Sequence, residues 1–213
     1  MKKRRVEILS QGREYDGFFK IDKAVLRYER FDGTMSEPVT RLNFNRGDSV
    51  GVLLYDPAEE AVILVEQFRY PAYLGDGPGW LLEIVAGIQE EGQSLLSVAQ
   101  SELLEETGYT VDSLTPILTF YPSPGGSSER IHLYLGLVGP GSHVGPGGGA
   151  EREGEDVRLA KIPLKEALTM IENGQICDGK TIIALQWLSR KTRNHGGQGN
   201  GMLMKAENTD NKS

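Results

Sequence analysis

The chain has 213 residues, a formal net charge of −7 and a mean hydropathy of −0.34, enough for one large domain, or a domain with an arm, around a sizeable core. The acidic balance argues against a general nucleic-acid surface, which needs clustered Lys and Arg, and no apolar run is long enough to span a membrane. A single cysteine, Cys177, excludes a disulfide framework or a Cys-based zinc site within one chain and reads as a free buried thiol.

At the N-terminus, Lys-Lys-Arg-Arg runs into Val6-Glu7 and not into an apolar segment, so the chain reads as cytoplasmic, without a secretory signal. Arg4–Ser10 forms a short strand. Phe18–Arg30 follows, with Phe19, Ile21, Val25, Leu26 and Tyr28 marking a second strand. Asp32-Gly33 is a hairpin signal, and Val39–Asn45 returns as its partner. Residues 1–46 therefore predict an antiparallel β arm.

Asp48 opens a second sheet. Ser49–Tyr55 and Ala61–Gln67 are buried strands on either side of the turn Asp56–Glu60, and a Gly/Pro loop spans Gly75–Gly79. Leu81–Val85 is the next strand, broken by Ala86-Gly87. Ser94 is placed to cap a helix whose apolar residues Leu95, Leu96, Val98, Ala99 and Leu103 recur at helical spacing, and Gly108 closes it. Thr110–Phe120, interrupted by Pro116, and Arg130–Val138 are strands on either side of the loop Tyr121–Glu129. Gly139–Gly149 reads as mobile and is followed by acidic Glu151–Asp156. Val157–Ile162 is a short strand, Pro163 sits at the first position of a helix closed by Gly174, and Lys180–Lys191 is a last amphipathic helix. Residues 193–213 read as a flexible polar tail.

The chemistry concentrates between Trp80 and Tyr109. Glu102 and Glu106 stand four apart on one helix face with Glu105 beside them, and like charges at that spacing cost about a few tenths of a kcal/mol per pair. A hard divalent cation reverses that sign, because it takes carboxylate oxygens and keeps positions open for water and phosphate. A solvated acidic helix face is the alternative.

Gly87, Glu102, Leu103, Glu105, Glu106, Gly108 and Tyr109 match the Nudix box at its full spacing, with Gln93 where the family has Glu and Ser101 where it has Arg. The stretches Val65–Tyr73, Trp80–Gly87, Ser123–Gly136 and Glu151–Arg158 extend the resemblance to the ADP-ribose pyrophosphatase branch of that family. The resemblance implies an α/β (α+β) fold, an α/β/α sandwich with a mixed central sheet over residues 47–192, plus the N-terminal β arm exchanged in a homodimer. It implies hydrolysis of the pyrophosphate in ADP-ribose or a similar nucleoside diphosphate sugar, with Mg²⁺ or Mn²⁺. Glu102, Glu106 and the carbonyl of Ala86 match the metal ligands, with Glu105 sharing or supporting. Glu153 and Glu155 both match the acidic loop that supplies the base, and the choice between them stays open. Arg69, Glu83, Ser127, Glu129 and Arg46 match substrate-binding positions, Arg46 as the arginine that a partner's arm contributes. Arg69 also reads as an ion pair with Glu66 or Glu83. Trp80 reads as core, with stacking on a base as the alternative, and His132 as structural; His143 and His195 lie in flexible segments. Two other readings stand beside the enzyme: a module that binds a nucleotide sugar without cleaving it, favoured by Gln93 and Ser101, and a scaffold dimer that binds none.

Overall fold

A computed structural model describes residues 3–150, 152 and 154–193. The chain divides into two compact units. The first comprises Met1–Asp48 and Phe120–Arg130; the second comprises Ser49–Thr119 and the chain from Ile131 onward.

The first unit is a three-stranded antiparallel sheet of β1 (Val6–Asp16), β2 (Lys20–Tyr28) and β3 (Val39–Asn45) in that order. Strand β1 runs well past the expected Ser10 and bulges twice against β2. All eleven of its residues are exposed, Val6, Ile8, Leu9 and Tyr15 among them. Within the same unit Phe44 N–H donates to the Gly126 carbonyl, and Ser127 Oγ donates to the Phe44 carbonyl at 2.9 Å, so the loop Phe120–Arg130 is tied to β3.

The second unit is built on a seven-stranded mixed sheet. Strands β4 (Ser49–Asp56) and β5 (Ala61–Phe68) form a hairpin, joined after α1 (Tyr70–Leu74) by β6 (Trp80–Glu83) against β5 and β7 (Val85–Ile88) against β4. Strands β8 (Leu114–Phe120), β9 (Ile131–Leu137) and β10 (Arg158–Pro163) complete the order β10-β5-β4-β9-β8, and β4 and β9 pair in parallel. Strand β4 is buried along its whole length, as a run of apolar residues covered on both faces must be. Val50, Val52, Leu54, Ile63 and Val65 pack against Val98, Ala99 and Leu103 of the helix that follows β7. A second apolar layer comes from Leu164 and Ala167 of α3 (Leu164–Glu172) and Ala184, Leu185 and Leu188 of α4 (Gly179–Arg193). The expected α/β/α sandwich with a mixed sheet is the observed fold.

Several local expectations are corrected. Ala86-Gly87 does not end a strand; it lies inside β7, and the break falls two residues earlier, at Ile84, where the chain leaves β5 for β4. Strand β8 begins at Leu114 and tolerates Pro116 because it is the sheet edge, where a missing N–H costs no ladder bond. Pro163 is the residue before α3, not its first turn. Helix α4 runs through Thr192 and Arg193, and the remainder of the expected tail, with His195, lies outside the described residues. Cys177 is exposed, and so is Trp80, which is 60% exposed and packs at a tilt against Phe68, ring centroids 5.0 Å apart. Among the described residues no helix is long and apolar enough to cross a membrane.

Candidate active site

Ser94 caps α2 (Leu95–Glu102) as its residue type predicts: its Oγ accepts the Ser97 N–H at 3.0 Å. The helix does not continue uniformly to Gly108. Over Leu103–Thr107 it widens into a π-helical turn, with Thr107 Oγ donating back to the Leu103 carbonyl, before Gly108 closes it at φ 68°. Such turns re-aim side chains out of simple register. Glu102 is therefore half-buried, Glu105 exposed and Glu106 only 2% exposed. Gly87 of β7 faces Glu102: a Cβ there would collide with the Glu102 side chain, so the box glycine makes room for the carboxylate.

Glu106 stands out among the described carboxylates. Its Oε2 is buried and has no hydrogen-bond partner among the described residues. Burial, and then the charges of Glu102 and Glu155, push its carboxyl up to about 8 against the pull of Arg69. An unpartnered buried carboxylate is costly unless a cation joins it. The donor set fits a hard divalent ion in kind: carboxylate oxygens with the Ala86 carbonyl nearby in β7, completed by water and phosphate oxygens. Among the described residues no three Asp, Glu, His or Cys side chains converge into a ready-made cage.

Glu83 is as buried as Glu106, yet fully engaged. Arg69 Nε and Nη2 donate to its two oxygens at 2.8 and 3.2 Å, and Lys180 Nζ pairs with Oε2. Burial works to raise its carboxyl, but the Arg69 hydrogen bond and the Lys180 and Arg69 charges outweigh it and hold the group below the usual range. Asp178 steadies the assembly by accepting from Lys180 at 3.1 Å and from Thr181 Oγ at 2.6 Å, and Thr181 Oγ accepts the Ile84 N–H at 2.8 Å. Of the two partners anticipated for Arg69, the pair forms with Glu83; Glu66 instead pairs with Arg158. The roles of Lys180, Asp178 and Thr181 had no signal in the sequence, because they come from the start of α4, far along the chain.

The glycine-rich segment expected to be mobile is tied down. Gly148 and Gly149 N–H donate to the carbonyls of Glu106 and Glu105 at 2.9 and 3.0 Å, and the Ala150 N–H donates to Glu155 Oε2 at 3.0 Å. This strap fastens the half-buried Glu155 to the end of the carboxylate helix. Glu153, the other candidate base, lies outside the described residues.

Gln93 and Ser101, where the box departs from its pattern, are both exposed, and Gln93 is used locally: its Oε1 accepts the Glu90 N–H at 3.3 Å and its carbonyl accepts from Gln89 at 2.7 Å. Their neutral side chains supply no cation to the buried carboxyl of Glu106. In the first unit, Glu129 lies 3.7 Å from Arg46, its N–H donates to Ser127 Oγ at 3.1 Å, and Arg46 sits over the Phe19 ring at 5.7 Å. His132 bonds Thr119 Oγ at 3.0 Å, and His143 packs on Tyr109 at 4.7 Å.

A mixed sheet whose box helix delivers an unpartnered buried carboxylate beside a strapped acidic loop defines a Nudix fold, and residues 45–185 match the NUDIX domain model; the chain belongs to the Nudix family. Among characterised relatives it is 41% identical over 186 residues to the ADP-ribose pyrophosphatase of Escherichia coli (strain K12), covering 87% of this chain and 88% of that one. The ADP-ribose pyrophosphatase of Haemophilus influenzae is 39% identical (86% and 85% covered), and the GDP-mannose pyrophosphatase of Pectobacterium atrosepticum 35% (85% and 92%). A crystal structure of an ADP compounds hydrolase shares the fold, with a TM-score of 0.65 at 18% identity over 92% of this chain and 97% of that one.

Proposed function

We propose that the protein hydrolyses the pyrophosphate bond of ADP-ribose or a related nucleoside diphosphate sugar, giving a nucleoside monophosphate and a sugar phosphate. The observation that carries this reading is Glu106, buried, without a partner for Oε2 and pushed up to about 8, in a chain whose relatives are named pyrophosphatases of such compounds. Glu102, Glu106 and the Ala86 carbonyl would hold Mg²⁺ or Mn²⁺, with Glu105 in support. Bound there, the ion neutralises the pyrophosphate and lowers the pKa of water.

The chain's own residues do the rest. Arg69, held by Glu83, presents its guanidinium to the phosphates, a task suited to its rigid planar fork. Glu155 or Glu153 takes the proton as the water oxygen bonds to phosphorus and the bridging P–O bond breaks. Arg46, Ser127 and Glu129 contact the substrate. Residues 1–46 act as a dimerisation arm on the domain of residues 47–192. The exposed apolar residues of β1 support a homodimer, since monomers seldom leave such patches in water.

The test is hydrolysis of ADP-ribose, GDP-mannose and other nucleotide sugars with Mg²⁺, with Mn²⁺ and with EDTA, products separated by chromatography. Metal-dependent release of AMP and ribose 5-phosphate is the expected result. Binding without product across the panel would select the second reading, a nucleotide-sugar receptor, whose support is the pair of substitutions Gln93 and Ser101.

A further inference from the structure

Buried polar atoms without partners are rare in folded proteins, and each calls for an explanation. Among the described residues three side-chain atoms qualify: Arg46 Nε, Glu106 Oε2 and Gln67 Nε2. The first two belong to positions already assigned. Gln67 is assigned nothing. It is 5% exposed, near the end of β5 and in register with Leu81 of β6.

Its direction follows from the strand. Successive residues of an extended chain alternate faces, so Val65, Gln67 and Arg69 share one; Arg69 is still extended, at φ −122° and ψ 99°. Val65 packs in the cluster with Val98, Ala99 and Leu103, which fixes this as the face that α2 covers. Glu83, in register with Val65, and Arg69 make their ion pair there, and both act electrostatically on Glu106. On the other side of β5 the Arg158–Glu66 register brings the following position of β5 level with Val157, two residues from Glu155. Gln67 thus lies between Arg69 and the strapped acidic loop, on the site face, with an amide donor that nothing in the described residues accepts. An amide in a wholly apolar setting costs stability with no return. A phosphoryl oxygen arriving beside Arg69 supplies the missing acceptor.

We infer that Gln67 is a substrate-contacting residue, its Nε2 donating a hydrogen bond to the pyrophosphate group that Arg69 neutralises. This rests on the nucleotide-sugar hydrolase reading. It assigns the amide a donor role and therefore makes opposite demands on stability and on turnover. Gln67→Leu removes the unsatisfied donor, so the unliganded protein melts at the same temperature or higher. The same variant loses about ten- to a hundredfold in kcat/KM for ADP-ribose, the usual worth of a hydrogen bond to a charged group. Gln67→Glu keeps the size but offers a donor only when protonated, so its activity relative to wild type rises as the pH falls.

The experiment is steady-state hydrolysis of ADP-ribose with Mg²⁺ by wild type and both variants over a pH series, with thermal melts of each in EDTA. Lowered kcat/KM in Gln67→Leu at an unchanged or raised melting temperature supports the assignment. Wild-type kcat/KM in that variant overturns it. Should Gln67→Leu fail to melt cooperatively, the pH trend of Gln67→Glu decides: a ratio to wild type that does not rise toward acid overturns the assignment. A wild type inactive on the whole panel overturns the hydrolase reading itself, and the assignment with it; an active wild type with an indifferent Gln67→Leu overturns the assignment alone.

Discussion

Two glutamates, one on β6 and one in the π-helical turn, are buried to the same degree, Glu83 and Glu106 each being 2% exposed, and their carboxyls move in opposite directions. Around Glu83 the chain supplies its own cations, Arg69 and Lys180, and folding alone completes the network. Around Glu106 it supplies further carboxylates, Glu102 and Glu155, and leaves Oε2 bare. The first arrangement belongs to the scaffold. The second holds repulsion that a proton or an incoming cation relieves, the pattern expected of a binding site and not of a core built of the same residue type.

Removing the bare carboxylate should give the largest effect. Glu106→Gln is expected to lower kcat by at least about a hundredfold, since several kcal/mol of charge stabilisation goes with the lost ion ligand. The same variant melts higher than wild type in EDTA at pH 8.5, where the buried carboxyl is ionised, and close to wild type near pH 5. Retained turnover in the chromatographic assay would break the comparison.

Glu83→Ala should do the reverse to stability. It strands Arg69, leaves Lys180 with Asp178 alone, and costs about 3 kcal/mol in urea unfolding, near the low end for broken buried pairs because Arg69 is partly exposed. A variant that unfolds with the wild-type midpoint would show that Glu83 is no scaffold residue.

Acidity sharpens the contrast. Glu106 holds its proton up to about 8 when folded and to about 4.5 when unfolded, so its contribution is fully present below pH 4.5 and is lost as the pH rises through about 8, on the order of a few kcal/mol. Glu83 is lowered and acts oppositely, its contribution present at neutral pH and lost in acid. Melts in EDTA from pH 5 to 8.5 should fall with pH in wild type and flatten in Glu106→Gln; Mg²⁺ should flatten the wild-type curve as well.

The smallest effect is at the strap. Gly149 sits at φ +85°, and a Cβ there would come within 2.8 Å of the Glu155 Cβ. Gly149→Ala is expected to lower kcat about tenfold, from about 1–2 kcal/mol of misplacement, with KM for ADP-ribose nearly unchanged. An equal rise in KM would place the damage in substrate binding instead.

The strands were legible because alternation and apolar runs are local signals, and Val39–Asn45 appears with the bounds its pattern predicts; their order across the sheet was not, because pairings between distant segments set it. The box was legible because its spacing is a property of one helix and one turn. What could not be read are the contacts that join distant segments: Lys180 reaching Glu83, the glycines reaching the carbonyls of Glu105 and Glu106, and the loop Phe120–Arg130 joining β3. Composition misled where it stood in for geometry. The glycines of 145–149 suggest slack chain, yet it is their small size that lets the backbone dock against the helix end. The π-turn also left no mark, since its residues are ordinary helix formers and tertiary packing decides how they wind.

The parallel pairing of β4 with β9 carries a consequence for how the chain reaches this state. The β4–β5 hairpin closes a short loop and can form early, but the middle of the sheet is complete only when β9, from the far half of the chain, finds its register beside β4. Closing so long a loop before any contact rewards it slows folding. Until then the unpaired backbone edge of the largely apolar β4 stands open to other chains, so refolding yield should fall as protein concentration rises.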